Sequence, residues 1–195
     1  MKNKKTAWLV KVAMLSAVAT VLMLVEFPLP FIAPPFYELD FSEVPVLVGA
    51  FALGPLAGVV VEGLKILLNL LINGTITAGV GEFANFVMGV VFVLPASLIY
   101  KRRKTKANAA FGLVLGGVFM VVVSCFVNGY IMLPLYSKLM PLDAIIKQAA
   151  NIWSVIDSVF DFVLLCVAPF NLIKVVLVSV ITLVIYKPIS PILKG

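Results

Sequence analysis

The sequence predicts an all-α membrane protein with six transmembrane helices and both termini in the cytoplasm. Of its 195 residues, 63% are hydrophobic and 12% are charged, and the mean hydropathy is +1.17. Soluble domains are about half apolar and a quarter charged, because they must cover their core with a polar surface. The apolar residues also form long runs, and the basic residues form short blocks between them. We therefore predict a single integral membrane domain over residues 1–195.

The basic blocks set the predicted topology, because lysine and arginine beside apolar spans mark cytoplasmic ends. The net charge of +6 thus indicates membrane orientation and not a nucleic-acid partner. The three blocks are Lys2, Lys4 and Lys5; Lys101, Arg102, Arg103, Lys104 and Lys106; and Lys187 and Lys194.

The first span is predicted over residues 6–27. It begins like a signal peptide, but the apolar run continues without a small-residue cleavage site, so we keep it as a helix. The loop that follows contains Pro28, Pro30, Pro34 and Pro35, and this density of prolines precludes a helix.

The next apolar stretch is divided at Gly54-Pro55 into helices over 43–53 and 56–72. Two crossings here place all three basic blocks on one side, whereas a single crossing does not. The first of these helices is shorter than the roughly 20 residues that a span needs. It must therefore be shielded by neighbouring helices or tilted where the bilayer is thinned.

The remaining spans are predicted over 82–100, 109–133 and 162–186. The more polar segment 134–154 is predicted to be an outer loop with an amphipathic turn. Cys125 and Cys166 lie within apolar runs and are interpreted as small core residues, with no disulfide or metal site.

Lys174 is the most informative residue, because a lysine inside a transmembrane helix costs several kcal/mol unless a partner or a ligand compensates it. Asn171 lies one turn earlier on the same helix face. The alternatives are a lysine that extends outward to the interface, or one that forms a structural pair with an acid such as Glu62.

Other polar residues also lie within apolar spans. Asn128 is near the outer end of its helix, where its amide needs a neighbouring helix or a ligand. Glu62 and Lys65 are three residues apart and are interpreted as an internal ion pair. Glu82 and Asn85 open the 82–100 helix, where Glu82 either stabilises the helix N-terminus or lines an outer pocket.

The sequence contains no histidine, which argues against histidine-based catalysis and most metal chemistry. It also contains no GxxxxGK[ST] phosphate loop, no HExxH motif and no GxSxG motif. The chain is therefore not expected to be an enzyme or to hydrolyse ATP by that route.

Several segments resemble the riboflavin-specific S components of energy-coupling factor (ECF) vitamin transporters, the RibU family. The resemblance covers nearly the whole chain, and its specific parts are LDFSE and TAGVGE. The segments are 36–45 (FYELDFSEVP), 54–58 (GPLAG), 62–65 (EGLK), 73–86 (NGTITAGVGEFANF), 128–130 (NGY) and 170–174 (FNLIK).

This resemblance implies a six-helix subunit of a bacterial cell membrane that binds riboflavin as transported ligand, with no cofactor. It implies partners as well, a transmembrane coupling subunit and two cytoplasmic ATPases that supply the energy. The S component is expected to rotate in the bilayer and release the vitamin inside. An alanine motif of the family contacts the coupling subunit and corresponds here to Ala13 and Ala17.

The resemblance also implies roles for single residues. Asn128, Asn171 and Lys174 are assigned to the polar edge of the flavin ring, since asparagine offers both a donor and an acceptor. The proline-rich loop, with Leu39 and Asp40, is expected to cover the pocket. The candidates for the sugar-alcohol tail are Thr77, Glu82 and Asn85.

Three alternatives remain at this stage. An S component for thiamin or biotin would share the fold and differ in the pocket. A membrane enzyme would need a catalytic constellation that the sequence lacks. A channel would need a continuous polar face, and the predicted helices over 43–53 and 109–133 are too apolar for one.

Overall fold

The computed structural model describes residues 4–75, 77–138 and 140–194, so Lys2 of the first basic block lies outside the described residues. The described chain is mostly helical. In chain order the helices are α1 (Lys4–Met23), α2 (Glu43–Leu53), α3 (Pro55–Asn73), α4 (Val80–Arg102), α5 (Lys106–Val127), α6 (Leu133–Tyr136), α7 (Leu142–Ala150), α8 (Val159–Phe162) and α9 (Ala168–Lys194).

Four short segments complete the fold. Two π-helical segments, π1 (Asn128–Met132) and π2 (Val163–Val167), join α5 to α6 and α8 to α9. Two short antiparallel strands, β1 (Phe27–Pro28) and β2 (Glu38–Leu39), lie in the proline-rich loop between α1 and α2.

Five continuous helical segments of the described chain are long and apolar enough to cross a membrane. The short helix Glu43–Leu53 is a further apolar helix that falls below this length. This is the architecture of a multi-pass membrane protein. The five segments are Lys4–Met23, Pro55–Asn73, Val80–Arg102, Lys106–Tyr136 and Val159–Leu193.

The helix α2 is buried along almost its whole length, from Glu43 to Phe51. It packs against α1, α3, α4 and α9, which shield it as its short length requires. Gly54 separates it from α3 with a φ of +107°, a conformation that favours glycine, and Pro55 then opens α3 at a position where its missing N–H is harmless.

The ends of two predicted helices are displaced. The helix α1 stops at Met23, short of residue 27, because Pro28 disfavours a helical Phe27 and β1 forms there instead. The last helix continues past the predicted end at 186, through Pro188 to Lys194. Lys11 Nζ donates to the carbonyl of Leu193 (2.8 Å), one of the carbonyls in the last turn of this helix that have no partner within the helix.

Segment 134–154 and the predicted fifth span also differ from the prediction. Segment 134–154 contains the nine-residue helix α7, which is longer than a turn and buries Ile145 and Ala149. The helix α5 begins at Lys106, ahead of the predicted residue 109, because the Thr105 hydroxyl caps it by accepting from the Asn108 N–H (3.2 Å).

The basic blocks gather at one end of the bundle. The contact between Lys11 and Leu193 joins the start of α1 to the end of α9. The hydroxyls of Tyr100 and Tyr186 lie 3.0 Å apart and join the ends of α4 and α9. The block that links α4 to α5 follows directly after Tyr100, so it lies at this end too.

The helices α4 and α5 pack closely through glycines on α5. A Cβ on Gly112 would lie 2.7 Å from the carbonyl oxygen of Ala96. A Cβ on Gly116 would overlap the carbonyl oxygen of Phe92. Small residues at such contacts let membrane helices approach backbone to backbone.

We predict that Gly116→Ala destabilises the bundle by about 1–3 kcal/mol, because α4 and α5 must separate to admit the methyl group. Thermal unfolding in detergent measures the effect. The matched control is Gly63→Ala on α3, where the added Cβ would lie 3.6 Å from Phe86, an ordinary contact. Equal unfolding temperatures for the two variants would contradict this account of the α4–α5 contact.

Candidate ligand-binding site

A cavity of about 450 Å³ opens at the end of the bundle opposite the basic blocks. This volume lies within the range of about 300–1,000 Å³ that small-molecule sites occupy. The end of α1, the proline-rich loop, the α3–α4 turn, π1 and α9 surround it. Seven residues singled out from the sequence line it, namely Asp40, Thr77, Glu82, Asn85, Asn128, Asn171 and Lys174.

Leu39 is the eighth residue singled out, and it is not part of the lining. Its side chain is fully buried in an apolar cluster with Phe162 and Phe170. The reason is its position on β2, where neighbouring side chains point to opposite faces of the strand. Leu39 therefore anchors the proline-rich loop beside the cavity.

Lys174 forms a buried ion pair with Asp40, with 2.7 Å between Nζ and Oδ2. The pairing with Glu62, considered from the sequence, does not occur, and neither does an outward-extending lysine. Asp40 Oδ1 also accepts the backbone N–H of Ser42 at 2.7 Å. Both oxygens of this carboxylate are thus held in place, and the lysine is fixed at the cavity wall.

The charge of Asp40 is stable because of its neighbours. Burial alone would raise the pKa of Asp40, but the positive charges of Lys174 and Lys65 outweigh it and hold the pKa well below its ordinary value. The contribution of this ion pair to stability is therefore present at neutral pH and lost only as the pH falls below the ordinary carboxyl range.

Asn128 and Asn171 lie deep in the cavity and are each less than a tenth exposed. Asn128 Nδ2 donates to the carbonyl of Ser124 (2.8 Å), and Asn171 Nδ2 donates to that of Val167 (2.9 Å). These bonds fix the orientation of both carboxamides. In Asn171 they leave the oxygen and the second N–H available at the cavity wall.

The two asparagines are associated with the π-helical segments. Asn128 opens π1, and Asn171 follows π2 by one turn. Such segments are rare and occur often at functional sites. Sequence reasoning missed them, because a single wider helical turn leaves no distinctive pattern of residue types in the sequence.

Tyr37 is a cavity residue that sequence reasoning missed, although it lies in the segment 36–45. Its hydroxyl donates to Asn128 Oδ1 at 2.7 Å. Burial raises the pKa of Tyr37, so the hydroxyl remains protonated and keeps donating. Its ring packs at 5.5 Å from that of Phe170 and 6.0 Å from that of Phe162. Tyr37 thus joins the proline-rich loop to the wall of the cavity.

The opposite wall is formed by the α3–α4 turn. Glu82 Oε2 accepts hydrogen bonds from the hydroxyls of Thr75 (3.0 Å) and Thr77 (3.1 Å). The hydroxyl of Thr75 accepts the backbone N–H of Gly79, and that of Thr77 accepts the N–H of Gly81. Glu82 therefore belongs to an ordered polar turn at the start of α4.

Lys65 is fully buried close to the cavity and contacts Glu62 at 2.7 Å, as expected from the sequence, and also Glu43 at 2.8 Å. Glu43 was not foreseen as a partner, because α2 and α3 meet only in the folded bundle. A Cβ on Gly89 would collide with Glu62, so glycine at this position lets α4 pack over the charged group.

Ala13 and Ala17 are not among the residues that line the cavity and lie on an exposed face of α1. Large apolar side chains beside them, among them Val10, Met14 and Val21, are more than half exposed. In a membrane this face is open to lipid or to another helix.

The comparisons with known proteins fit this architecture. Residues 8–186 match the family model of the ECF transporter substrate-specific component. The chain belongs to this family. An ECF substrate-specific component is a transporter subunit and not an enzyme.

Similar proteins of this family have been named as riboflavin transporters. The chain is 37% identical to the riboflavin transporter RibU of Staphylococcus aureus, over 99% of this chain and 94% of the relative. It is 34% identical to the riboflavin transporter FmnP of Bacillus subtilis, over 98% and 94% respectively. A solved S component of a bacterial ECF transporter superposes with a TM-score of 0.74 at 34% identity, covering 100% of both chains.

Glu26 is a further cavity residue whose titration can be tested. Burial and its neighbour Glu38 raise the pKa of Glu26 to about 7, from an ordinary 4.5. The folded state thus binds this proton more tightly than the unfolded chain, and the stability it contributes is lost as the pH rises through 7.

We predict that Glu26→Gln raises the unfolding temperature more at pH 8 than at pH 5, where Glu26 itself is protonated. Unfolding scans across this pH range measure the difference. Glu38→Gln removes the neighbour and should shrink the pH dependence of the parent protein. Parallel curves for the parent and Glu26→Gln would refute the prediction.

Proposed function

We propose that this protein is the riboflavin-binding subunit of an ATP-driven ECF-type vitamin transporter. The observation that carries the proposal is the deep end of the cavity, where three buried polar residues of different helices, Asn128, Asn171 and Lys174, line the same space. Polar groups at this depth are expensive and are typically retained for a ligand. The names of the relatives at 34–37% identity identify that ligand as riboflavin.

The chemistry of riboflavin suits this arrangement. Its flat ring system is apolar at one edge and carries alternating N–H and C=O groups at the other. The carboxamides of Asn128 and Asn171 offer donors and acceptors that match this second edge. Lys174 supplies a positive charge beside the ring while it remains paired with Asp40. Apolar side chains that also line the cavity, among them Met88, Met120 and Phe170, would face the apolar edge.

The remaining contacts follow from this orientation of the ring. Thr77, Glu82 and Asn85 on the α3–α4 turn would meet the hydroxyls of the sugar-alcohol tail. The proline-rich loop would serve as a lid. Its Asp40 accepts a hydrogen bond from Lys174 on α9, and its Tyr37 donates one to Asn128 on π1, so the loop is attached to the cavity wall at two points.

The proposal includes a membrane topology. We place the protein in a bacterial cell membrane, with six crossings that count the shielded helix α2. The end of the bundle with the basic blocks faces the cytoplasm. The cavity then opens to the outside, where the vitamin is collected.

The energy would come from partner chains, because the sequence lacks a phosphate loop. We propose a transmembrane coupling subunit with two cytoplasmic ATPases as these partners. Ala13 and Ala17 would contact the coupling subunit, since small residues on an exposed helix face allow close helix packing. Rotation of the loaded subunit in the bilayer would release the vitamin inside.

Titration of the purified protein with riboflavin tests this proposal, with flavin and tryptophan fluorescence as readouts. Trp153 is a suitable reporter, because its indole N–H donates to Ile32 in the proline-rich loop (3.2 Å). We predict saturable one-to-one quenching. Asn128→Ala or Lys174→Met should weaken binding about 10- to 100-fold, the effect of losing one or two hydrogen bonds to the ligand.

Thiamin and biotin are the ligand controls, and Asn108→Ala is the matched protein control. Asn108 lies at the basic end of the bundle, away from the cavity. The Asn108→Ala variant should therefore bind riboflavin like the parent protein. If the folded protein binds thiamin or biotin more tightly than riboflavin, the riboflavin proposal is wrong and that vitamin is the ligand. The family assignment would still hold.

A further inference from the structure

Three charged side chains are enclosed together in the bundle. Glu43 on α2, and Glu62 and Lys65 on α3, are each at most 1% exposed. Lys65 Nζ contacts Glu43 Oε1 at 2.8 Å and Glu62 Oε2 at 2.7 Å. If every one of these groups were ionised, two negative charges would face one positive charge. The enclosed group would then carry one excess negative charge.

The surroundings of this group supply no further cation within the described chain. The other charged side chains that act on it are Asp40 and Lys174, and these two are already paired with each other at 2.7 Å. The helix α1 buries no ionisable side chain, and α4 presents Gly89 to the group. The excess negative charge is therefore not balanced by the described side chains.

Two carboxyl oxygens of the group also have no hydrogen-bond donor among the described residues. They are Glu43 Oε2 and Glu62 Oε1, and both are buried. The buried hydroxyls of α1, those of Ser16 and Thr20, donate to carbonyls of their own helix. An ionised carboxylate offers acceptors only. Two fully ionised glutamates would thus leave buried acceptors without a donor, which is costly.

The two carboxyl groups lie close to each other. Both contact the Nζ of Lys65, and both approach α4 at the same point. A Cβ on Gly89 would collide with Glu62 Oε1 and would lie 3.0 Å from Glu43 Oε1. When two carboxyl groups share one site, repulsion between their charges makes one of them keep its proton. The protonated carboxyl group also gains an O–H donor, which the site lacks.

We propose that Glu43 and Glu62 form a binding site for one proton, which the two carboxyl groups share while Lys65 balances the remaining negative charge. The group is then neutral as a whole, and the cost of an isolated charge inside a membrane bundle disappears. None of these three residues lines the cavity. The proton site is therefore distinct from the ligand site and does not depend on which ligand the cavity takes.

Infrared spectroscopy tests this proposal, because a protonated carboxyl group has a carbonyl stretching band that a carboxylate lacks. The background for the measurement is the Glu26→Gln variant at pH 7, since the pKa of Glu26 is itself about 7. This background should show the band of one protonated carboxyl group. Adding Glu62→Gln should abolish the band, because a single carboxylate then remains for Lys65. Adding Glu43→Gln should abolish it for the same reason.

Asp143→Asn in the same background is the matched control, because it removes an exposed carboxylate on α7. It should leave the band unchanged.

The pH dependence of unfolding gives a second reading. The unfolded chain releases this proton at neutral pH, so the stability that the proton contributes is lost as the pH rises. Between pH 6 and pH 9, the unfolding temperature of the background should fall more steeply than that of the background with Glu62→Gln added. Glu43→Gln provides the same comparison if Glu62→Gln does not fold.

The outcomes decide the proposal. Loss of the band in the folded glutamine variants, and not in Asp143→Asn, supports it. Absence of the band from the background overturns it, whether or not the further variants fold. A band that survives in folded Glu62→Gln or Glu43→Gln protein also overturns it, because another carboxyl group would then hold the proton. Absence of the band together with an unfolding temperature that rises with sodium would show that a metal cation balances the charge instead.

Discussion

The ion pair between Asp40 and Lys174 is the interaction on which the cavity-bearing half of the molecule depends. A lysine inside a membrane bundle must be compensated, and removing one partner of such a buried pair costs about 3–5 kcal/mol. The partner comes from the proline-rich loop, whose aspartate also accepts the Ser42 N–H where α2 begins. One carboxylate therefore connects the loop, the buried helix α2 and α9, and it holds the lysine where a ligand can reach it.

The membrane environment explains why structure and binding use the same polar groups. In lipid, the backbone must satisfy its own hydrogen bonds, and polar side chains turn inward. Lys65 satisfies this requirement with Glu43 and Glu62 in a fully buried group. Lys174, Asn128 and Asn171 satisfy it only in part, through Asp40, Tyr37 and backbone carbonyls, and their remaining donors and acceptors face a cavity. The difference between the two groups is the space beside them, because Lys174 and the two asparagines line the cavity whereas Lys65 is fully enclosed.

Much of the site could be predicted from the sequence, because a polar residue in an apolar span is conspicuous. Lys174, Asn171 and Asn128 stood out in this way, and all three line the cavity. The loop residues were harder to assign. Leu39 and Asp40 are neighbours, yet one is buried beside Phe162 and the other faces Lys174. Tyr37 was missed because an aromatic residue in a loop carries no signal of its own, and its bond to Asn128 spans 91 residues of chain.

By itself, the sequence determined that this is a helical membrane protein, the approximate positions of its apolar helices, and which family it resembles. These properties follow from composition, periodicity and local motifs. Only the tertiary structure decided that Asp40 and not Glu62 pairs with Lys174, that Glu43 joins Lys65, and that Tyr37 donates to Asn128. Such pairings depend on which helix faces meet in the bundle, and residues far apart in the chain carry no local record of that contact.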